Sequence, residues 1–318
     1  MPYRDAGPTV RAAAESVLAQ EGVALELLAV DDGSSDDGPA QMDALARRDS
    51  RLVPLRCGAG LVPALEMARR AAKGAILARM DADDECLPRR LAAQVRALEE
   101  APGVVATRVA LFGDHGEGMA RYVAWQNSLL SAQEHARDLF VESPICHPSV
   151  ALPAALLEAA GGYRDGDFPE DYELWLRLAE QGASIRKVPM HGLRWRQHGQ
   201  SFSRNDRRYR PEAFRNLKAA HVARRLPERP LVVWGAGQTG KRFTRSLEAH
   251  GPRASRFVDI DPKKIGRHAR GVPVVAPEAI GDDDYVLVAV GARGARAKVR
   301  AHLLGAGHEE LTDFRCVA

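Results

Sequence analysis

The 318-residue sequence predicts an α/β fold: a mostly parallel sheet flanked by helices, followed by a second, smaller α/β unit. Three observations carry this. Apolar runs of strand length alternate with stretches of helical periodicity from residue 8 to residue 100. Acidic clusters stand at strand ends, where ligands of such sheets bind. A strand, a glycine-rich turn and a helix then begin a new unit at residue 230.

The elements follow in order. Residues 8–21, PTVRAAAESVLAQE, read as a helix with proline near its start. ALELLAV is a strand ending at Asp31. A helix near residues 37–48, a short strand RLVPL and a helix over 61–72 come next. GAILARM is a strand ending at Asp81, and a helix runs from Pro88 to Glu100.

Composition sets bounds. The chain is 45% hydrophobic and 27% charged, as an ordinary globular protein is. Its net charge of +3 is near balance, so no nucleic-acid partner is expected. Cys57, Cys86, Cys146 and Cys316 form no CxxC pair and read as free thiols of a reducing compartment. No apolar run approaches the roughly 18 residues of a membrane span, and no signal-like segment opens the chain. The expected location is the cytoplasm, with the inner face of the membrane as an alternative.

Two acidic clusters call for an explanation, because adjacent carboxylates repel and raise each other's pKa. LLAVDDGSSDDG places Asp31 and Asp32 at a strand end, followed by Gly33, which lets the backbone turn away. MDADD places Asp81, Asp83 and Asp84 within four residues. Carboxylates spaced like Asp81 and Asp83 share a hard cation readily, although aspartates are also ordinary in solvated turns. FPEDYELWLRLAEQG puts Glu170 and Asp171 in the first turn of an amphipathic helix, where acids also suit the helix dipole. RWRQHGQSFSR adds His198.

Taken in order, SVLAQ, LLAVDDGSSDDG, MDADD, HPSV, GGYRDG, EDYELWLRL and HGQS resemble the family 2 glycosyltransferases of the GT-A fold over residues 1–205. The resemblance implies a metal-dependent inverting glycosyltransferase. It would move a sugar from a nucleotide-diphosphate sugar to a saccharide or lipid-linked hydroxyl acceptor, in bacterial polysaccharide or glycoconjugate assembly. It implies Mn²⁺ or Mg²⁺. It places Pro2, Tyr3, Asp31 and Asp32 on the donor's base and ribose, Asp81 on ribose or metal, and Asp83 on the metal. Asp171, with Glu170, would be the catalytic base, and His198 would touch the diphosphate or metal. The chemistry suits these residue types: the leaving diphosphate is anionic, and an acceptor hydroxyl needs a base within reach.

Two departures stand out. The family opens on an apolar strand, whereas this chain starts at the turn MPYRDAG, so the first strand is expected to be missing, the true start lying upstream or the sheet lacking a strand. Cys57 also stands near where relatives carry Asn, and no role passes to it.

Residues 206–229 form a basic helical linker; the stretch 204–229 holds nine Lys or Arg against three Asp or Glu. It reads as a solvated helix or as a weak contact with an anionic membrane surface. Residues 230–318 form a Rossmann-like unit. VVWGAGQTGKRF supplies Gly235, Gly237 and Gly240, and Asp259 ends the next strand, which is the context a dinucleotide or nucleotide site demands. NAD(P) or a nucleotide is its expected ligand. Two other readings stay open: an NAD(P)-dependent oxidoreductase centred on this unit, and a catalytically silent sugar-nucleotide-binding protein. The donor, the acceptor and the oligomeric state are not legible.

Overall fold

The computed structural model describes residues 1–318. The chain divides into two compact units. The first comprises residues 1–136, 144–166 and 170–205; the second comprises 137–143, 167–169 and 206–318.

The first unit begins with β1 (Pro2–Tyr3), α1 (Val10–Leu18), β2 (Leu27–Asp31), α2 (Gly38–Ala46), β3 (Leu52–Arg56), α3 (Leu61–Ala71) and β4 (Ile76–Ala78). In α1 the buried residues Val10, Ala13, Ala14, Val17 and Leu18 recur at helical spacing, which lays one apolar stripe on the sheet. Every residue of β2 is buried, as a central parallel strand requires. Strands β1, β2 and β3 form a three-stranded parallel sheet in that order.

Next come β5 (Glu85–Cys86), α4 (Arg90–Glu100), β6 (Val104–Gly113), α5 (Glu117–Ser128), α6 (Ala132–Asp138), β7 (Ala151–Pro153), α7 (Ala154–Ala159), α8 (Glu170–Glu180), β8 (Ile185–Gln197) and α9 (Phe202–Asn205). The second sheet has the order β4-β7-β6-β8-β5. Strand β8 runs parallel to β6 through a bulge at Thr107–Val109. Gly192 sits beside that bulge, where a Cβ would come within 2.5 Å of the Thr107 hydroxyl. Helix α8 is deeply enclosed, with Tyr172, Leu174, Trp175, Leu176 and Leu178 all fully buried.

Two expectations need correction. The first strand is present as the stub β1, paired Pro2 to Val30 and Tyr3 to Asp31. Strand β4 does not extend the first sheet; it pairs antiparallel with β7. A cavity of about 430 Å³ is lined by Leu27, Leu28, Ile76, Leu77 and Met80 among others.

The second unit contains α10 (Pro211–Ala223), β9 (Leu231–Trp234), α11 (Gln238–Glu248), β10 (Arg256–Val258), β11 (His268–Ala269), β12 (Val272–Val275), β13 (Tyr285–Val288), α12 (Ala295–Gly305) and β14 (Phe314–Cys316). The stretch read as a basic linker holds α10 and packs within this unit. Strands β12, β10, β9, β13 and β14 are parallel in that spatial order, with β11 antiparallel at the edge. All four cysteines are free. No helix is long and apolar enough to cross a membrane.

Candidate active site

The loop after β4 gathers Asp81, Asp83 and Asp84 so that one carboxylate oxygen from each lies within 4.8 Å of the others. Burial first, and then Asp81 and Asp83, hold the Asp84 carboxyl well above its ordinary range. Burial and then Asp81 move Asp83 the same way, with His198 opposing. Arg79 and His198 lie against this negative density. Arg79 Nη2 pairs with Asp81 Oδ1 at 2.6 Å. His198 Nε2 lies 3.1 Å from Asp83 Oδ2.

Strand β8 fixes the loop from the other side. Arg196 donates its backbone N–H to Asp84 Oδ1 and its Nε–H to the Asp83 carbonyl, each at 2.8 Å. Its guanidinium stacks on Phe112, 4.4 Å from the ring centroid. One oxygen, Asp84 Oδ2, is buried without a partner. Three convergent carboxylates with an orphaned oxygen form an all-oxygen donor set that fits a hard divalent cation.

Asp31 and Asp32 stand at the end of β2 and avoid mutual repulsion by taking separate partners. The Ser34 N–H donates to Asp31 Oδ1 at 3.0 Å, after Gly33 turns the chain at φ +79°. The Gly60 N–H donates to Asp32 Oδ1 at 2.7 Å. Tyr3, beside Asp31, is buried with its hydroxyl unpartnered. Burial and then Asp31 push that phenol up to about 12. Pro2 lies in β1 next to it. No hydrogen bond or ion pair joins this group to the cluster after β4.

Glu170 and Asp171 open α8, where the N-terminal dipole favours acids. Asp171 is partly exposed, and its Oδ1 accepts from the Tyr172 N–H at 2.7 Å. Burial, and then Glu170, push its carboxyl up to about 8, while Arg79 pulls it down. Glu170 is 2% exposed and faces His147 Nδ1 at 3.9 Å. Burial and then Arg79 hold His147 well below its ordinary value, so the ring is neutral. His147 Nε2 lies 3.0 Å from the Tyr163 hydroxyl and accepts from it if the ring proton is placed on Nδ1. His147, Tyr163, Arg79 and Arg196 escape sequence reasoning. Their only signal was membership of HPSV, GGYRDG, GAILARM and RWRQHGQSFSR, stretches in which these four residues drew no role.

In the second unit, Gly237 caps α11 and has open space around its Cα. A Cβ on Gly235 would fall 2.5 Å from the Ala289 carbonyl, and Gly240 packs directly against the Gly235 carbonyl. These two glycines serve close packing of helix on sheet. Asp259 Oδ2 accepts from the Ala236 N–H at 3.0 Å and from Lys264 Nζ at 2.9 Å, and its Oδ1 accepts from the Asp261 N–H at 3.0 Å.

Comparison with known proteins matches residues 1–155 to Glycosyl transferase family 2. The amylovoran biosynthesis glycosyltransferase AmsE of Erwinia amylovora is 32% identical over 162 residues, covering 48% of this chain and 59% of that protein. The O-antigen biosynthesis glycosyltransferase WbnJ of Escherichia coli is 30% identical over 124 residues, covering 39% and 47%. The chain thus spans less than two thirds of either relative's length. Among solved structures, the mannosyltransferase PcManGT of Pyrobaculum calidifontis, in complex with GDP-Man and Mn²⁺, superposes with a TM-score of 0.51 at 19% identity. That match covers 70% of this chain and 60% of that one, and establishes the fold. The strand-end acids, the α/β architecture and the family match together make residues 1–155 a Glycosyl transferase family 2 domain.

Proposed function

We propose that the protein is a metal-dependent inverting glycosyltransferase acting in bacterial polysaccharide or glycoconjugate assembly. The observation that carries this is the Asp81–Asp83–Asp84 cluster with His198 against Asp83. AmsE and WbnJ, both named for polysaccharide biosynthesis, support the setting. Mn²⁺ in PcManGT supports the metal.

In this reading Asp81, Asp83 and His198 hold Mn²⁺ or Mg²⁺. When bound, the ion neutralises charge on the leaving diphosphate. Asp31 and Asp32, with Pro2 and Tyr3, hold the nucleoside of a nucleotide-diphosphate sugar. Asp171 accepts the proton of the acceptor hydroxyl. The hydroxyl oxygen bonds to the anomeric carbon as the nucleoside diphosphate departs with the bonding pair, and this single displacement inverts the centre. A base with a carboxyl near 8 suits that task, since catalytic pKa values work best near the operating pH. The acceptor is a saccharide or lipid-linked hydroxyl.

We also read residues 206–318 as a Rossmann-like unit. Numbering its parallel strands along the chain gives the spatial order 3-2-1-4-5, which supports this. The oxidoreductase reading is weaker. It needs Asp259 for a ribose, and both of that carboxylate's oxygens are engaged by the chain itself.

The test is nucleoside diphosphate release from a panel of UDP-, GDP- and dTDP-sugars, with Mn²⁺ and a mixture of saccharide and polyprenyl-linked acceptors. Acceptor-stimulated release that Asp171→Asn abolishes supports the reading. Release from no donor, or equal release by Asp171→Asn, overturns it.

A further inference from the structure

We propose that Arg196 is the phosphate-binding arm of the candidate site, its guanidinium presented to the terminal phosphate of a nucleoside diphosphate beside the Asp81–Asp83–Asp84 cluster. Arg196 lies on β8 opposite Phe112 of β6, and both side chains are partly buried. Its guanidinium lies over the Phe112 ring, 4.4 Å from the centroid. Its Nε–H donates to the Asp83 carbonyl at 2.8 Å, and its backbone N–H donates to Asp84 Oδ1 at the same distance. The ring fixes the plane of the guanidinium, and the Nε bond fixes its rotation within that plane. Nη1 and Nη2 have no partner in the chain. They form the unspent edge of a planar fork, the shape that pairs bidentately with phosphate.

The neighbouring arginines are used differently. Arg79 pairs with Asp81 at 2.6 Å and Arg194 with Glu85 at 2.5 Å. Arg196 pairs with no carboxylate through its side chain; its Nε–H goes to a backbone carbonyl. Arg194 also lies over Phe112, 4.5 Å from the centroid. Two guanidinium groups therefore meet at one ring, and Glu85 is the carboxylate paired with them. A bound anion offsets that gathering of like charge. The adjacent loop carries three carboxylates, which repel a diphosphate. A fork tied to the same loop supplies directed positive charge there. The assignment of the anion to a nucleotide rests on the transferase reading.

The experiment is isothermal titration calorimetry of the full chain with Mn²⁺, using UDP, GDP and dTDP and the matching monophosphates UMP, GMP and dTMP. Wild type is compared with Arg196→Gln and Arg196→Lys, and Mn²⁺ affinity is measured separately without nucleotide. Arg196→Gln should weaken the diphosphate about 10- to 100-fold, the loss of a charge-assisted hydrogen-bonded pair. It should leave the monophosphate and Mn²⁺ affinities unchanged, since the backbone bond to Asp84 survives any substitution. Arg196→Lys keeps the charge and loses the fork, so its diphosphate affinity should fall between the two. Equal weakening of mono- and diphosphate, or a parallel loss of Mn²⁺, would mark Arg196 as a brace for the loop and overturn the proposal. Unchanged diphosphate affinity in Arg196→Gln overturns it too, and leaves the transferase reading standing. A wild type that binds none of the three diphosphates overturns both.

Discussion

His198 Nε2 stands 3.1 Å from Asp83 Oδ2, although the two residues are 115 positions apart in the chain. The contact closes the acidic loop after β4 against the end of β8, and Arg196 fastens the same two elements through Asp83 and Asp84. The proposed ligand set thus draws on two distant segments, so each contributor can be tested separately.

His198→Ala should weaken Mn²⁺ binding about 10- to 100-fold, the range seen when a supporting group of a metal site is lost. Asp83→Ala should abolish it. Titration of free Mn²⁺ by electron paramagnetic resonance reads both. Equal affinity in wild type and His198→Ala would remove His198 from the site.

Asp171 gives a pH prediction. Its carboxyl lies near 8 in the folded chain against 3.8 in the ordinary case, so the native state holds the proton more tightly. Stability then falls as pH rises between those values, because ionising this carboxyl costs more in the folded state. Asp171→Asn removes that cost. The variant should be more stable than wild type at pH 9, by on the order of 1 kcal/mol once solvent screening of the partly exposed carboxyl is allowed for, and the gap should close at pH 5. Thermal unfolding at the two pH values checks this. Transfer activity of the wild type should rise through pH 8 as the base ionises.

Arg177 and Glu173 form a buried ion pair on α8, 2.7 Å between Nη2 and Oε2, and Arg177 also holds the carbonyls of Ala160 and Gly162. Removing one partner leaves a buried charge uncompensated. Arg177→Met should cost about 3 kcal/mol or more and lower the melting temperature of the first unit by about 6 °C or more. Differential scanning calorimetry measures it; a change under about 2 °C would contradict the account.

In the second unit the glycines should separate cleanly. Gly240→Ala drives a methyl into the Gly235 carbonyl and should destabilise the unit, whereas Gly237→Ala meets open space at an ordinary backbone angle and should be tolerated. Limited proteolysis of the two variants distinguishes them; equal resistance would contradict the packing role of Gly240.

Much of the architecture was legible because its signals are local. The runs ending at Asp31 and Asp81 and the helices behind them are periodic over a few residues, and the acidic clusters declare themselves by spacing. The pairing of β4 with β7 was not legible, because it depends on contacts between Ile76–Ala78 and Ala151–Pro153, far apart in sequence. β1 was missed because two residues carry no periodicity. Arg79 looked like one arginine at the end of an apolar run; only burial against Asp81 marks it. His147 and Tyr163 acquire meaning through each other and Glu170, a convergence that three separate motifs do not announce.

The most direct test of the central claim is a thermal-shift comparison of wild type and Asp83→Ala with UDP, GDP and dTDP, each with and without Mn²⁺. A ligand that binds the native state alone raises the melting temperature. The account predicts a shift with one nucleoside diphosphate that requires Mn²⁺ and disappears in Asp83→Ala. A nucleotide-dependent shift that ignores Mn²⁺ and survives Asp83→Ala would contradict it.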